Sequence, residues 1–540
     1  MSAADEDPVR NHRGEGLLDP HQALQILLFL PPKFTGPLRA TSKSSLLAKT
    51  GGSDALWAAH ARGYFGLSGA PACRGPKGED CGASWEKAFT LWHGSAPDAA
   101  FKALQDAGVE GELRARWIGV WHRIRQWTRR EAPHVAATLR PPVDAQSALE
   151  KLEGAHPAVL GLWCLHDGQD APMNRLGNTP WGMRTIGEEE WANGLLGGYT
   201  VYDHEVSTVL LPLDSATKLT NFFRQRVQMP NSRLAFACSY NFSKILFVDT
   251  ADGAVWVWTM QQRSPFQLAV PSSGGLSQGN KVRLHDLKAR PELNGQRGCL
   301  DEFDKEKERW QVRMEDGSAV HLLKAENLEP ERRPLPADGL LRWLEEYAER
   351  LDEGIYSVMP LRPAEATATL STKGICLFPV SGPELSCCVT KGVEVTASAV
   401  YMPEHPQNGW TYSIALRLVG TPEERGYKTC QLDVRDWYIQ EDGSEPDHVR
   451  GEGVVGFFPI LDDGGWWLNR ESDPNRQYVR PSGFTEGAFR YQSCSGRTPS
   501  MRGHFSGDLT FVPGTRKAPT GPAFQAKLAK FRLRVPEYIY

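Results

Sequence analysis

The spacing of hydrophobic residues changes along the chain. Before residue 140, Leu and Trp recur at intervals of three and four, which predicts short amphipathic helices. Residues 141–275 mix helical and strand-like patterns. After residue 373, nearly every apolar segment has the length of a strand and lies between Gly, Pro and Asp clusters. The pattern therefore predicts a multidomain protein that is all-α at its start, α+β in the middle and all-β in its last third.

Residues 17–65 contain three short helical patterns, and the first stops at Pro31-Pro32. Three helices of this length bury little apolar surface, so we expect their remaining apolar faces to need a partner. A small helical cap on the next domain is the alternative.

The segments "QILLFLPP", "PLRATSKS" and "DALW" within residues 17–65 resemble an F-box. The sequence has "LLDP" in place of the leading Leu-Pro of that pattern, and its middle helix lacks the usual Trp. The resemblance implies binding to a Skp-type adaptor, and through it to a cullin scaffold, by apolar helix faces. The adaptor-binding residues that it implies are Leu24, Ile26, Leu28, Leu30, Leu38 and Trp57.

Residues 66–140 include "ELRARWIGVWHRIRQWTRR", with Trp along one helical side and Arg around the rest. Arg interleaved with Trp could bind nucleic acid through phosphate contacts and base stacking. An amphipathic spacer that packs its Trp side against protein is the interpretation we favour. Nucleic acid is therefore not an expected partner.

Residues 141–275 run from an apolar helix into the turn "HDGQD" and then into strands. His166, Asp167 and Asp170 lack a further ligand at fixed spacing, so we predict a turn that satisfies helix-end backbone groups rather than a metal site. The order of "HDG", "GLLGG" and a strand pair resembles a Smi-type (SUKH) domain, an α+β fold of binding proteins. A helical pattern within residues 340–358 resembles the last helix of that domain.

Residues 281–330 have four or five strand-like segments, with turn signals at Asn294-Gly295 and Asp316-Gly317. This texture predicts a small β-barrel and resembles a Tudor-like module. Because the helical pattern of residues 340–358 follows, we expect the barrel to be inserted into the Smi-type domain. Such an insertion costs little where the ends of the loop stay close together.

The stretch "HVRGEGVVGFFPIL" places Gly451, Gly453 and Gly456 in the order G-x-G-x-x-G. A dinucleotide-binding loop requires a helix that begins at the third glycine. Here a β-prone apolar run continues, and Pro459 falls where the first helical turn would be. We therefore predict a glycine-bearing strand or turn in which close approach or a positive φ excludes a Cβ.

Residues 373–520 resemble an ApaG domain, a fibronectin-III-like β-sandwich, and a final strand leads towards residue 540. The motifs that carry the resemblance are "QLDVRDWYI", "VRGEGVVGFFPIL", "FRYQSCS" and "SMRGHF". Besides the three glycines, they mark Arg435, Trp437 and Pro459 as motif positions. No catalytic role comes with this family, although its glycine motif has been discussed as an anion site.

F-box, Smi-type and ApaG segments in this order resemble the F-box only protein 3-like family. The resemblance implies a non-catalytic substrate-recognition subunit of a cullin-based, SCF-type ubiquitin ligase. Its Smi-type and ApaG domains would bind a protein substrate whose identity the sequence does not reveal. Two alternatives stay open: a scaffold outside any ligase, and an anion or small-molecule sensor that uses the ApaG glycines.

Composition and charge limit the number of domains, the partners and the cellular location that we expect. The 540 residues are too many for one core, and a net charge of −4 is no general reason to expect nucleic acid or anionic membrane as partner. The longest apolar runs are too short to span a membrane.

The ten cysteines form no C-x-x-C pair, so we expect no metal, no cofactor and no disulfide framework. The acidic N terminus lacks a signal-peptide pattern, and we expect a cytoplasmic and/or nuclear protein.

Overall fold

The computed structural model describes much of the chain after residue 83 and three residues before it. The described residues are 57–58, 61, 84–95, 98–143, 145–170, 191–259, 265–271, 276, 278–315, 319–331, 335–361, 373–468, 485–496 and 501–540. Two compact units divide the chain, Met1–Arg123 and Ile124–Tyr540. Five of the predicted adaptor-binding residues lie outside the described residues, namely Leu24, Ile26, Leu28, Leu30 and Leu38.

Helices account for most of the described residues up to residue 165. They are α1 (Trp85–Ser95), α2 (Asp98–Asp106), α3 (Gly111–Glu131), α4 (Pro133–Ala136), α5 (Ala145–Lys151) and α6 (Pro157–Leu165). Along α3, Trp117, Val120, Trp121, Ile124 and Trp127 recur at helical spacing, and all are buried. The Trp side of α3 is thus packed against protein, as the spacing predicted.

An eight-stranded sheet forms the middle of the second unit. Its strands are β1 (Gly198–Val201), β2 (His204–Leu210), β3 (Arg233–Ser239), β4 (Ile245–Asp249), β5 (Val255–Trp258), β6 (Phe266–Leu268), β12 (Ser357–Pro360) and β13 (Lys373–Cys376). The order is β12-β13-β1-β2-β3-β4-β5-β6, and only β1 and β13 pair in parallel. Helix α7 (Leu213–Arg224) packs on β3, and α8 (Gly339–Asp352) packs on α6 and β5.

Two boundaries in this sheet differ from the sequence prediction. The helix expected over residues 340–358 ends at Asp352, and Gly354 follows it with φ +68°, a conformation in which glycine commonly ends helices. Strand β12 then returns to the sheet. Strand β13, which the sequence assigned to the C-terminal domain, pairs with β12 and β1 instead. For a strand this short, tertiary contacts rather than its own residues determine which sheet it joins.

Five shorter strands form a separate antiparallel sheet. They are β7 (Lys281–Leu284), β8 (Arg297–Asp304), β9 (Arg309–Met314), β10 (Val320–Leu323) and β11 (Leu328–Pro330), in the order β10-β9-β8-β7-β11. Their apolar residues form a core of their own, which comprises Val282, Leu284, Leu293, Leu300, Val312, Met314, Leu323 and Leu328. The turn at Asn294-Gly295 joins β7 to β8 with Gly295 at φ +84°.

The C-terminal sandwich consists of two antiparallel sheets. The first contains β14 (Ser386–Thr390), β15 (Val393–Tyr401), β16 (Asn408–Leu418) and β22 (Phe489–Gly496). The second contains β17 (Cys430–Glu441), β18 (Asp447–Glu452), β19 (Ile460–Asp462), β20 (Gly465–Trp467), β21 (Thr485–Glu486), β23 (Arg502–Pro513) and β24 (Phe524–Arg534). Buried and less buried residues alternate along β23, as a strand with one face in a core requires. The predicted β-sandwich is confirmed, and the described chain is mostly β.

Candidate functional site

The glycine motif lies at the end of β18 and in the turn that follows it. Gly451 is within β18, opposite Arg435 of β17. Gly453 and Gly456 have φ values of +54° and +76°, and a Cβ on Gly453 would lie 2.5 Å from the carbonyl oxygen of Phe457. The predicted strand and turn are confirmed, and both left-handed φ and close backbone approach explain the need for glycine at 453.

The guanidinium of Arg435 lies across this turn. Its Nη1 donates to the carbonyl oxygens of Glu452 (2.9 Å) and Gly453 (2.7 Å). A Cβ on Gly451 would lie 2.9 Å from Nη2 of Arg435. The absence of a side chain at Gly451 therefore makes room for the guanidinium, which holds the turn against β17.

Three backbone N–H groups of the glycine turn donate to carbonyl oxygens within the sandwich. The N–H of Gly453 donates to Asp433 O (2.8 Å), and Val454 and Phe457 donate to each other's carbonyl oxygens. Pro459 O accepts from Leu432 N (3.0 Å), and β19 follows where a dinucleotide site would need a helix. The turn is bonded to the neighbouring strands and is followed by a strand instead of a helix. This geometry excludes a dinucleotide-binding loop.

The remaining motif positions divide between the core and the surface. Trp437 is buried, with its ring 5.5 Å from that of Phe505. Next to it, the buried carboxylate of Asp436 lies 3.0 Å from His448 Nε2 and 3.2 Å from Arg450 Nη1. Trp437 therefore anchors β17 in the core, while Asp436 organises an exposed polar surface on β18.

A buried polar cluster joins the sandwich to the eight-stranded sheet. Glu404, in the loop between β15 and β16, has a fully buried side chain. Its Oε1 lies 3.0 Å from His204 Nε2 and accepts a short hydrogen bond from Tyr199 Oη. Burial opposes ionisation, but these two donors and the nearby charge of Lys244 together hold the pKa of Glu404 below its usual value. The sequence analysis singled out none of these residues.

The last residues of the chain also enter the eight-stranded sheet region. Ile539 N donates to Ala269 O (3.1 Å), and Trp343 Nε1 of α8 donates to Ile539 O (2.9 Å). The main-chain oxygen of Tyr540 accepts from the buried Lys244, and the Tyr540 ring lies 4.9 Å from that of Trp343. The segment after β24 thus connects the sandwich with the core beneath α8.

The turn around residues 166–170 has a structural role, because its side chains accept hydrogen bonds from backbone N–H groups of other elements. Asp167 Oδ1 accepts from Leu213 N (2.8 Å) at the start of α7, and Gln169 Oε1 accepts from Leu195 N and Leu210 N (3.0 Å each). Burial lowers the pKa of His166 to about 4. The turn satisfies helix-end groups as predicted, although the helix that it caps is α7. Across the described ranges, no cluster of potential metal ligands occurs.

Two residues of the first unit bear on the earlier alternatives. Trp57 is half-buried, with its ring 5.1 Å from that of Phe89 in α1. In α3, Arg114 donates to Val109 O (2.8 Å) and lies over the Phe101 ring. Since the Trp rings of α3 are buried, they are not available to stack on bases. None of the helices described for this chain is both long and apolar enough to cross a membrane.

Comparison with known proteins defines the class of the sandwich. The family model of the ApaG domain matches residues 399–469. Protein ApaG of Anaeromyxobacter dehalogenans is 31% identical over 156 residues, which are 28% of this chain and 97% of that protein. This chain therefore belongs to the ApaG-domain family through its C-terminal sandwich.

Other relatives are named as F-box proteins. The F-box protein SKIP16 of Arabidopsis thaliana is 27% identical over 535 residues, 95% of this chain and 97% of that protein. F-box only protein 3 of Homo sapiens is 27% identical over 157 residues, 28% of this chain and 31% of that protein. The relatives thus include both F-box proteins and ApaG proteins. Both classes are expected from the family that the sequence motifs resemble.

Proposed function

We propose that this protein is a non-catalytic substrate-recognition subunit of an SCF-type ubiquitin ligase. The observation that carries the proposal is the alignment with F-box protein SKIP16 over 95% of this chain. Residues 17–65 would bind a Skp-type adaptor through Leu24, Ile26, Leu28, Leu30, Leu38 and Trp57. The adaptor would link the chain to a cullin scaffold.

Target binding is assigned to the second unit. The proposed Smi-type domain would comprise residues 141–275 with α8, and it would present the target together with the ApaG sandwich. The contribution to ubiquitin transfer would be proximity, since a tethered lysine has a high effective concentration near a charged conjugating enzyme. The protein would act in the cytoplasm, the nucleus or both.

Adaptor binding tests this proposal. Purified full-length chain is expected to capture the Skp-type adaptor, and Ile26→Asp with Leu30→Asp is expected to abolish the capture, because charges cannot enter an apolar groove at low cost. Leu149→Asp is the matched control, since Leu149 is an exposed leucine of α5. Failure of the well-folded wild-type chain to bind the adaptor would contradict the ligase assignment and favour a scaffold with an N-terminal helical cap.

A further inference from the structure

A cavity of about 190 Å³ lies where the sandwich, the eight-stranded sheet region and the five-stranded sheet meet. Its wall includes parts of β24, α8 and β9, together with the buried C-terminal segment. Glu384 is its one acidic lining residue, whereas its cationic lining residues are Arg313, Arg350, Lys530, Arg532 and Arg534. The lining is therefore strongly positive.

Three of these cations are held by carboxylates of the surrounding walls. Arg350 lies 3.1 Å from both Glu346 and Glu384. Arg313 lies 3.0 Å from Asp301, which is also 3.7 Å from Arg534. These pairs hold the walls of the cavity together and leave little uncompensated charge.

Lys530 and Arg532 differ from these three arginines in that no carboxylate is paired with them among the described residues. Both are exposed on β24, and neither has an ion pair within the described part of the chain. Across the β23–β24 pair, Arg532 lies opposite His504, whereas Lys527 on the same strand lies opposite Asp508. Opposite charges stabilise cross-strand pairs, and Arg532, unlike Lys527, has no acidic residue directly opposite it.

A second observation concerns Ser386, which lines the same cavity. Its Oγ is buried and has no hydrogen-bond partner among the described residues. A buried hydroxyl without a partner lowers stability, so such a group commonly has a ligand or water to bind. An acceptor inside the cavity would satisfy it.

We propose that this cavity binds a phosphate group, held by Lys530, Arg532 and the hydroxyl of Ser386. A phosphate group carries about −1.5 to −2 charges at pH 7 and three strong acceptor oxygens. That charge matches two uncompensated cations, and the extra oxygen matches the hydroxyl donor. A carboxylate would supply a single charge. The site is separate from the glycine turn, where the N–H groups of Gly453, Val454 and Phe457 donate to carbonyl oxygens within the sandwich.

The phosphate group has two conceivable sources, a phosphorylated side chain of a target or a free phosphate compound. The first source rests on the proposed function, whereas phosphate binding itself does not. Binding should therefore persist in the Ile26→Asp, Leu30→Asp variant. Failure of the wild-type chain to bind the adaptor, with phosphate binding retained, would contradict the ligase assignment alone.

Calorimetric titration of the full-length chain with inorganic phosphate, in chloride buffer, tests the site. Arg532→Gln and Lys530→Gln are each expected to weaken binding about tenfold, as loss of one charge-assisted hydrogen bond implies. Lys527→Gln, the matched control on β24, should leave binding unchanged. Equal weakening by the control, or no binding by the folded wild-type chain, would overturn the proposal.

A second titration identifies the source. A capped seven-residue peptide with one phosphoserine is compared with its unphosphorylated form and with inorganic phosphate. Tighter binding of the phosphopeptide than of inorganic phosphate, lost in Arg532→Gln, assigns the site to modified targets. Inorganic phosphate binding as tightly as the phosphopeptide assigns it to a free phosphate compound. Binding of both peptide forms alike, insensitive to Arg532→Gln, would contradict the site.

Discussion

At the scale of single residues, Glu404 shows how one side chain can join two parts of a fold. Its carboxylate is buried between the sandwich and the eight-stranded sheet, with His204 and Tyr199 as hydrogen-bond partners. A buried carboxylate is tolerated only where such partners stabilise its charge. Replacing it by a neutral group of the same shape isolates the contribution of that charge.

We expect Glu404→Gln to lower the free energy of unfolding at pH 7 by about 1–3 kcal/mol, because charged hydrogen bonds are lost. The pKa of Glu404 is lowered by folding, so its contribution is present above its ordinary pKa of 4.5 and is lost as the pH falls through the folded value. Thermal melts between pH 7 and pH 3 should therefore show less acid destabilisation in the variant than in the wild-type chain.

Glu423→Gln is the matched control for this prediction. Glu423 is exposed, and its replacement changes the net charge by the same amount. Equal loss of stability in both variants at pH 7 would show that the Glu404 contacts contribute nothing specific.

At the scale of elements, the turn before β1 shows that a helix can be capped from a distant part of the chain. Asp167 accepts the N–H of Leu213 at the start of α7 and also lies 3.3 Å from Arg140. Asp170 also lies 3.3 Å from Arg140 but is not the acceptor for that N–H. Comparing substitutions of these two residues therefore distinguishes the contribution of the helix cap from that of the ion pair.

Asp167→Ala is expected to reduce stability by about 0.5–2 kcal/mol, the usual cost of losing a helix cap. Asp170→Ala should cost less, since exposed ion pairs contribute about 0–1 kcal/mol. Urea denaturation followed by circular dichroism measures both. A loss in Asp170→Ala as large as that in Asp167→Ala would show that the pairing with Arg140, and not the cap, matters.

Elements with a local signal were the ones that the sequence predicted well. The Trp side of α3 follows from helical spacing, and the glycine turn follows from Pro459 and the β-prone run after Gly456. Strand β13 has no such signal, because its four residues fit a strand of either neighbouring sheet. Its pairing with β12 and β1 is set by contacts across many residues, which local patterns do not encode.

At the scale of the whole molecule, the segment after β24 connects the sandwich with the core under α8. Ile539 is buried, its N–H donates to Ala269, and its carbonyl oxygen accepts from Trp343. Truncating the side chain leaves these backbone bonds possible and removes only apolar contacts. The effect should therefore report how strongly the two regions stabilise each other.

Ile539→Ala is expected to lower stability by about 2–5 kcal/mol, as large-to-small substitutions in cores do. Hydrogen exchange should increase in α8 and also in β24, because the segment spans both regions. Val535→Ala, at a half-buried position of the same segment, is the control and should cost less. Faster exchange confined to β24 would contradict coupling between the regions.

By itself, the sequence determined the all-β C-terminal domain, the structural role of the G-x-G-x-x-G motif and the buried side of α3. These features depend on residues that are neighbours in the chain. Tertiary structure decided where β13 pairs, why Glu404 is buried with His204, and that Lys530 and Arg532 line a cavity without an ion pair among the described residues. Such properties depend on which distant residues meet, since burial and charge compensation are set by surroundings that only the folded chain brings together.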